Sequence, residues 1–535
     1  MRDRWSAGLP IALSMTFFVL FVVVPLAAMF LPTLRDADGS FSLALYAQIL
    51  GEANDRRELW NSLQLGVSTA LIALLLGGGF AWVTHATDLP GARWLAPLGV
   101  LPLVVPPILV AMGFADLAPV AEFWPCAMLL GVAFAPFVAV LGARGLRGAD
   151  GRAYEAALLA RGRGRAELML LRTTLPEFLA GAFLAFLFAV AERGVPEFLT
   201  VKGKTWHTYA EGVFRRWSLR ATGMGPEDLQ SPVVAALPLV LLIGAALALT
   251  LWLRARAGER AATPLPPRPL GRWRVPALLV PGVYLGAGVA LPIVVMARWA
   301  MGSTQVNAPL SFDTLRASLH GAFTQAGGDL LHTVVIAVAT AGVALVVGLP
   351  LARAAARRAG ILEHLSVLPL AVPAILLGIG FVHAFNGPHV VSLYAATFDF
   401  YDSPAILVAA YAARFLPFAV LTLASATRRI PAALDEAALL SGRGALARGL
   451  RIHLPLAAPA AASAAVLLFV LGLRELDTAV VLPAGNETVV RRLANVVHFG
   501  GEDIGGALAL LLLTVAVLVP ALGMLITGRR LHSLS

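Results

Sequence analysis

The chain has a single cysteine, Cys126, in 535 residues, and few charges: Asp, Glu, Lys and Arg together make up 13%. One cysteine excludes an internal disulfide and a cysteine-ligated metal cluster. A soluble chain carries about 25% charged residues and roughly 45–50% apolar ones. Here 59% are apolar and the mean hydropathy is +0.80, which rules out an ordinary soluble enzyme and a disordered protein. Acidic residues are scarcer than basic ones, 31 against 41, for a net charge of +10. That excess does not point to nucleic acid. It sits in short stretches between apolar blocks and reads as membrane topology.

The apolar residues come in blocks of about twenty, enough to cross a hydrocarbon core of ~30 Å. Twelve spans are expected, near 8–32, 62–84, 94–114, 121–143, 176–195, 231–253, 275–299, 331–352, 364–385, 404–426, 455–474 and 504–527. The first follows Arg2 and Arg4 but is too long for the core of a signal peptide, so it reads as an uncleaved helix. Arg clusters in 144–172, 254–272, 353–358 and 428–451, while 301–330 and 387–403 hold only Arg316. The positive-inside rule then places both termini in the cytosol, with the long-loop clause covering Lys202, Lys204, Arg215, Arg216 and Arg220 after the fifth span.

Six spans followed by six imply duplication. LPLVVPPILVAMGF (101–114) matches LPLAVPAILLGIGF (368–381) without a gap, pairing Pro102 with Pro369, Pro106 with Pro373 and Gly113 with Gly380. FAPF with Pro136 stands opposite FLPF with Pro417, ERGVPEFL (192–199) opposite ELDTAVVL (475–482), and Thr205 opposite Thr488. The expected division is a first half over 1–253, an Arg- and Pro-rich cytosolic linker over 254–274, stiffened into a spacer by proline, and a second half over 275–535. Each half has an even number of spans, so the two run in the same direction and form a pseudo-dimer.

Each half carries one long cytosolic loop between its fourth and fifth spans, 149–176 and 431–455, and both contain EAALL, then glycine, a basic amphipathic stretch and Leu-Pro. Asp150 can cap the first loop helix and Pro431 can occupy the first position of the second. A glycine in the left-handed region can end it. Leucines beside a small alanine face have little reason to lie in cytosol unless another protein covers them. Two such prongs suit a partner with two equivalent grooves.

These loops resemble the EAA loop of ABC-transporter permeases, the inner-membrane components of binding-protein-dependent importers. The pattern is Glu-Ala-Ala, glycine six residues after the glutamate, then Ile, any residue and Leu-Pro. The second copy fits through Glu436, Ala437, Ala438, Gly442, Ile452 and Pro455. The first keeps Glu155, Ala156 and Ala157, but Gly162 comes one residue late and Pro176 two, with Leu171, Arg172 or Thr173 in place of the Ile. The resemblance implies an all-α polytopic membrane protein of two tandem six-helix permease halves, type I importer-like, in a bacterial inner membrane. It implies a transport subunit that is not itself an enzyme. ATP and Mg are held by a homodimeric or paired ABC ATPase on the cytosolic side, and a periplasmic binding protein delivers the substrate. A phosphate-cradling glycine loop followed by Lys-Ser or Lys-Thr is lacking here; VKGKT (201–205) misses the first glycine and falls on the outer side.

The second half, through RFLPF (414–418) and 474–503, looks most like fused permeases of the ferric-iron branch. Thiamine, 2-aminoethylphosphonate, polyamine or sulfate permeases are the alternatives. In the outer loop 381–404, His383, His389, Tyr394, Asp399, Tyr401 and Asp402 could offer ligands to a hard cation, although a polar loop with interfacial aromatics explains them as well. Pathway candidates are Pro106 and Pro373, which free backbone groups in spans three and nine, and the charged Arg414, Glu192 and Glu475. An ion-coupled secondary transporter would need acidic residues in mid-span, and a membrane enzyme clustered catalytic groups; neither explains the paired EAALL loops.

Overall fold

The computed structural model describes the chain apart from residues 1, 36–38, 118–120, 202, 222–230, 258–262, 303–308, 358–364, 387–398, 443, 484, 486, 500 and 533–535. The described residues are helical, without a β-strand and with two isolated bridges, Arg35–Phe41 and Thr87–Arg268. Nine helices among them are long and apolar enough to cross a bilayer: Leu9–Leu34, Ala53–Ala86, Phe123–Arg147, Gly151–Ala191, Pro276–Ala300, Phe312–Ala356, Pro404–Arg428, Arg451–Leu473 and Glu502–Ala521. A tenth crossing consists of two pieces, Ala92–Val104 and Pro107–Ala115, bent by 89°. Two shorter apolar helices, Ala236–Leu249 and Ala374–Phe385, complete the series. In order, these fall on the twelve expected spans. The protein is an all-α polytopic membrane protein.

Spans three and nine depart from a plain crossing, and their prolines explain it. A 3-10 segment, Ala96–Val104, runs into Val105 and Pro106, both extended (ψ 119° and 139°), before Pro107–Ala115 resumes as α-helix. In the second half, Leu368–Ala371 is 3-10, Val372 and Pro373 are extended (ψ 125° and 147°), and Ala374–Phe385 follows. A residue that precedes proline is pushed out of the α region by the ring. Val105, Pro106 and Val372 are such residues, so the break falls at the same repeat position.

The chain packs as two compact units that cut across the two sequence halves. One comprises residues 46–322 and 493–510, the other residues 1–45, 323–492 and 511–535. The opening span of each half is thereby counted with the body of the other half.

In the unit of residues 46–322 and 493–510, Ala53–Ala86, Phe123–Arg147 and Gly151–Ala191 pack on one another, and Ser231–Ala257 lies on the last of them. Pro276–Ala300 lies on broken span three. Tyr284 donates to the Gly99 carbonyl (2.6 Å) and stacks on Phe80, ring centroids 4.4 Å apart. Asp116 receives Arg298 at 3.1 Å and Trp299 Nε1 at 3.0 Å. Described linker residues 263–274 do not form the free spacer expected from their prolines; they pack within this unit, as Thr87 pairing with Arg268 shows.

In the unit of residues 1–45, 323–492 and 511–535, Leu9–Leu34 lies along span nine through an aromatic cluster. Phe21 meets Phe381, Phe385 and Phe400 at centroid distances of 6.2, 5.8 and 5.9 Å. Pro404–Arg428 packs on Leu454–Leu473, and Ala374–Phe385 on the short helix Asp477–Val481.

Both opening spans share an irregularity: a π turn, Val19–Val23 or Gly286–Ala290, then a proline, Pro25 or Pro292. Proline offers no N–H to the turn before it, and widened turns of this kind are uncommon. Each proline is where the helix meets the glycine that the repeat pairs. A methyl group on Gly380 would lie 2.9 Å from the Pro25 carbonyl oxygen, and one on Gly113 would lie 3.2 Å from Pro292 Cα. Small residues let helices approach closely where lipid supplies no hydrophobic drive. Gly113→Leu and Gly380→Leu are each expected to lower the thermal unfolding midpoint in detergent, by an overpacking cost of about 1–3 kcal/mol. Gly342→Ala, with open space around it, should leave the midpoint unchanged or raise it.

Candidate functional site

The two EAALL loops fold alike from different spacings. In the first, the Asp150 carboxylate accepts from the Arg152 and Ala153 amides (3.0 and 3.4 Å) and starts the helix. A hydrogen bond from the Thr263 hydroxyl, aided by these amides, holds the Asp150 carboxyl below its ordinary range. Gly162 breaks the helix at φ 74°, ψ 170°, and the chain then runs helically through Pro176 to Ala191. In the second, Pro431 stands one position before the helix, extended at ψ 132°, rather than at its first residue. Ala432–Leu440 follows, then Gly442 at φ 70°. Ala445–Arg448 continues into a π turn, Gly449–His453, which holds Ile452, and Pro455 lies in the first turn of Leu454–Leu473. Both glycines occupy the left-handed region that side chains avoid. The one-residue delay of Gly162 therefore lengthens the first helix without changing how it ends.

Exposure follows the same register. Glu155, Ala156, Glu436 and Ala437 are exposed, while Ala157 is half-buried and Ala438 buried. Ala157 packs against Ala149, Tyr154, Ala166 and Leu170. One alanine of each pair thus faces its own fold and the other faces out. Leu159 is 88% exposed and Leu440 91%. Such residues stand at matching positions of both repeats, as the last residue of EAALL.

The structure joins two of the pathway candidates. Arg414 and Glu475 are both buried and lie 3.3 Å apart, Nε to Oε2. Glu475 also accepts from the Thr478 amide and hydroxyl (3.1 and 2.9 Å). Glu192 accepts from the Val195 amide at 3.3 Å, so each glutamate caps the short helix that follows it. FAPF and FLPF place Ala133 where Arg414 stands, so the first half has no such arginine. Of the outer-loop residues, Asp399 accepts from the Asp402 amide in a local turn (3.2 Å), and His383 lies in Ala374–Phe385. His389 and Tyr394 lie outside the described residues. Among the described residues no three His, Cys, Asp or Glu side chains gather to hold a metal.

Sequence reasoning missed a pair of ties between spans two and eight and the amphipathic helices that follow spans five and eleven. Glu58 receives Arg215 at 2.7 Å, Asp55 receives Arg216, and Asp329 receives Arg492 at 2.6 Å. One turn on, Ser62 accepts from the Tyr209 amide (2.8 Å) and Thr333 from the Val489 amide (3.0 Å). The signal was present: Glu58-Leu-Trp-Asn-Ser matches Asp329-Leu-Leu-His-Thr. These acids also explain the basic loop after span five, where Lys204 is buried against Glu211 at 2.8 Å. Thr208, rather than Thr205, is the counterpart of Thr488. Each accepts, through its hydroxyl, the amide three residues on at 3.4 Å.

Known proteins share these features. Residues 344–531 match the family model described as binding-protein-dependent transport system inner membrane component. The molybdenum transport system permease protein ModB of Mycobacterium tuberculosis is 28% identical over 266 residues, covering 48% of this chain and 94% of ModB. The probable ABC transporter permease protein y4fN of Sinorhizobium fredii is 27% identical over 469 residues, 78% of each chain. The molybdate/tungstate transport system permease protein WtpB of Thermococcus kodakarensis is 27% identical over 228 residues, 42% of this chain and 89% of WtpB. ModB is thus matched over about half the length of this chain and y4fN over 78% of it. These matches support an ABC-transporter inner-membrane permease, and residues 344–531 carry the match to the binding-protein-dependent transport system inner membrane components.

Proposed function

We propose that this permease forms the translocation pathway of an importer, taking substrate from a periplasmic binding protein. Two ATPase subunits dock on Glu155–Gly162 and Glu436–Gly442. The observation that carries this reading is the matched exposure of Leu159 and Leu440. Covering a leucine side chain is worth about 1.5–3 kcal/mol, and each loop ends in a glycine turn that returns the chain to the membrane. ATP and Mg belong to the docked subunits, whose closure moves the two loops and switches the bundle between outward and inward access. The Arg-rich segments support a bacterial inner-membrane topology with both termini and both docking loops on the cytosolic side. Broken spans three and nine, with Pro106 and Pro373, line the pathway, since irregular backbone at membrane depth needs protein or water around it. The Arg414–Glu475 pair holds one wall of it in the second half.

The substrate best supported is a tetrahedral oxyanion of the molybdate class, because ModB and WtpB carry molybdenum, molybdate or tungstate in their names and each is covered almost to its full length. The ferric-iron branch expected from the second half finds no counterpart in the names of these relatives.

Leu159→Glu and Leu440→Glu, tested in vesicles with the ATPase and receptor, are expected to cut ATP-dependent uptake and ATPase co-purification. The loss should be about ten- to hundredfold per site, the equivalent of one buried leucine, with membrane levels unchanged. Ala437→Glu should act likewise. Ala438→Glu loads a buried position and should lower the amount of protein instead. Undiminished ATPase binding in both leucine variants would exclude docking at these loops. In the same vesicles labelled molybdate should accumulate and tungstate compete, and uptake of ferric ion with exclusion of molybdate would restore the iron reading.

A further inference from the structure

The first docking helix has a fastening that its sequence repeat does not supply. Thr263 accepts the Gly151 amide through its carbonyl (3.0 Å) and the Arg152 amide through its hydroxyl (3.2 Å), and donates that hydroxyl to Asp150 (2.7 Å). Leu265 packs on the cluster of Ala149, Tyr154, Ala166 and Leu170, beside Ala157. Arg268 is buried. Its guanidinium lies 2.8 Å from Glu167 and sits over the rings of Trp82 (4.5 Å) and Tyr154 (5.4 Å), while the Tyr154 hydroxyl donates to Glu167 at 3.0 Å. The backbone of Arg268 pairs on both sides, donating to the Ala86 carbonyl (3.1 Å) and accepting the Asp88 amide (3.0 Å). Asp88 then takes the Leu270 amide through its carboxylate (2.8 Å) and Arg274 through its carbonyl (3.1 Å). Glu167 lies beyond the Gly162 turn and Tyr154 before it, so Arg268 ties together the two arms that the turn separates.

We propose that Arg268, in the segment joining the two permease halves, is a positioning residue for the first docking helix, acting through Tyr154 and Glu167. This rests on the docking reading above. A guanidinium is suited to such a clamp because it stacks flat on aromatic faces while it pairs with a carboxylate, and it never loses its charge. The first loop departs from the regular spacing, with Gly162 one residue late, and its reach toward a partner depends on the angle at that glycine. Clamping Tyr154 to Glu167 sets that angle. The joining segment thus acts as a strap on one docking site, and the two sites of the permease are mechanically unequal.

The test uses the full chain with its ATPase in vesicles, and a cysteine placed beside each docking helix, Arg161→Cys or Ser441→Cys, cross-linked to the ATPase. Both positions are exposed, and the native Cys126 is buried. Arg268→Ala should lower cross-linking at position 161 and coupled uptake by roughly two- to thirtyfold, the span of coupling changes carried by residues off the contact itself. Cross-linking at position 441 should not change. Arg268→Lys, which keeps a cation near Glu167 and the rings, should recover part of the loss. Tyr154→Phe, which removes only the hydroxyl, should lose less than Arg268→Ala. Equal losses at both positions would reveal a general structural role and overturn the proposal, and so would unchanged values at both. Leu159→Glu in the same assay separates the two claims. If it leaves cross-linking at position 161 intact, docking at this loop fails and the strap falls with it. If it abolishes cross-linking while Arg268→Ala does nothing, only the strap fails.

Discussion

Leu159 and Leu440 stand almost fully in solvent at the same step of a duplicated chain, and the functional account depends on what covers them. A scattered exposed leucine needs no explanation. Two at corresponding positions, each beside an exposed alanine and each followed by a left-handed glycine, form a repeated surface feature. The surrounding sequence keeps the feature small: the inward alanine packs on its own fold, and the outward one leaves room for a partner. Both copies keep the turn glycine while the spacing slips by one residue, which shows which element the geometry needs.

Within the spans, the governing constraint is that hydrocarbon cannot satisfy a backbone polar group. Long helices meet it for most of the described residues, and at the prolines of spans three and nine the backbone leaves the helix at equivalent points. The opening span of each half lies on one of these broken spans. Its proline meets a glycine there, and its other contacts differ by half: an aromatic cluster around Phe21 in one unit, and Asp116 with Arg298 and Trp299 in the other. Duplication preserved the backbone relation and let the side chains diverge.

Much of this was legible in the residues. Block length gave the spans, matched prolines gave the breaks, and Glu-Ala-Ala-Leu-Leu with its glycine gave the loops. What could not be read followed from the physics of lipid. An apolar helix surrounded by hydrocarbon carries no code for which half it packs on, so the exchange of opening spans left no pattern in composition. The Pro- and Arg-rich linker looked like a solvated spacer because its composition hides the partners of Arg268, which lie more than a hundred residues upstream in Tyr154 and nearly two hundred in Trp82. The cations after span five were assigned to a tolerant long loop, although Glu58, Asp55 and Glu211 pair with Arg215, Arg216 and Lys204. Cargo was the least legible property, since related permeases share helices and loops while the receptor selects what arrives.

The most direct measurement is amide hydrogen exchange of the permease in lipid nanodiscs, with and without its ATPase subunits in the ATP-bound state. Slowed exchange confined to 151–162 and 432–442 on addition of the ATPase is the expected result. Unchanged exchange in both loops, with the ATPase demonstrably bound elsewhere, would contradict the account.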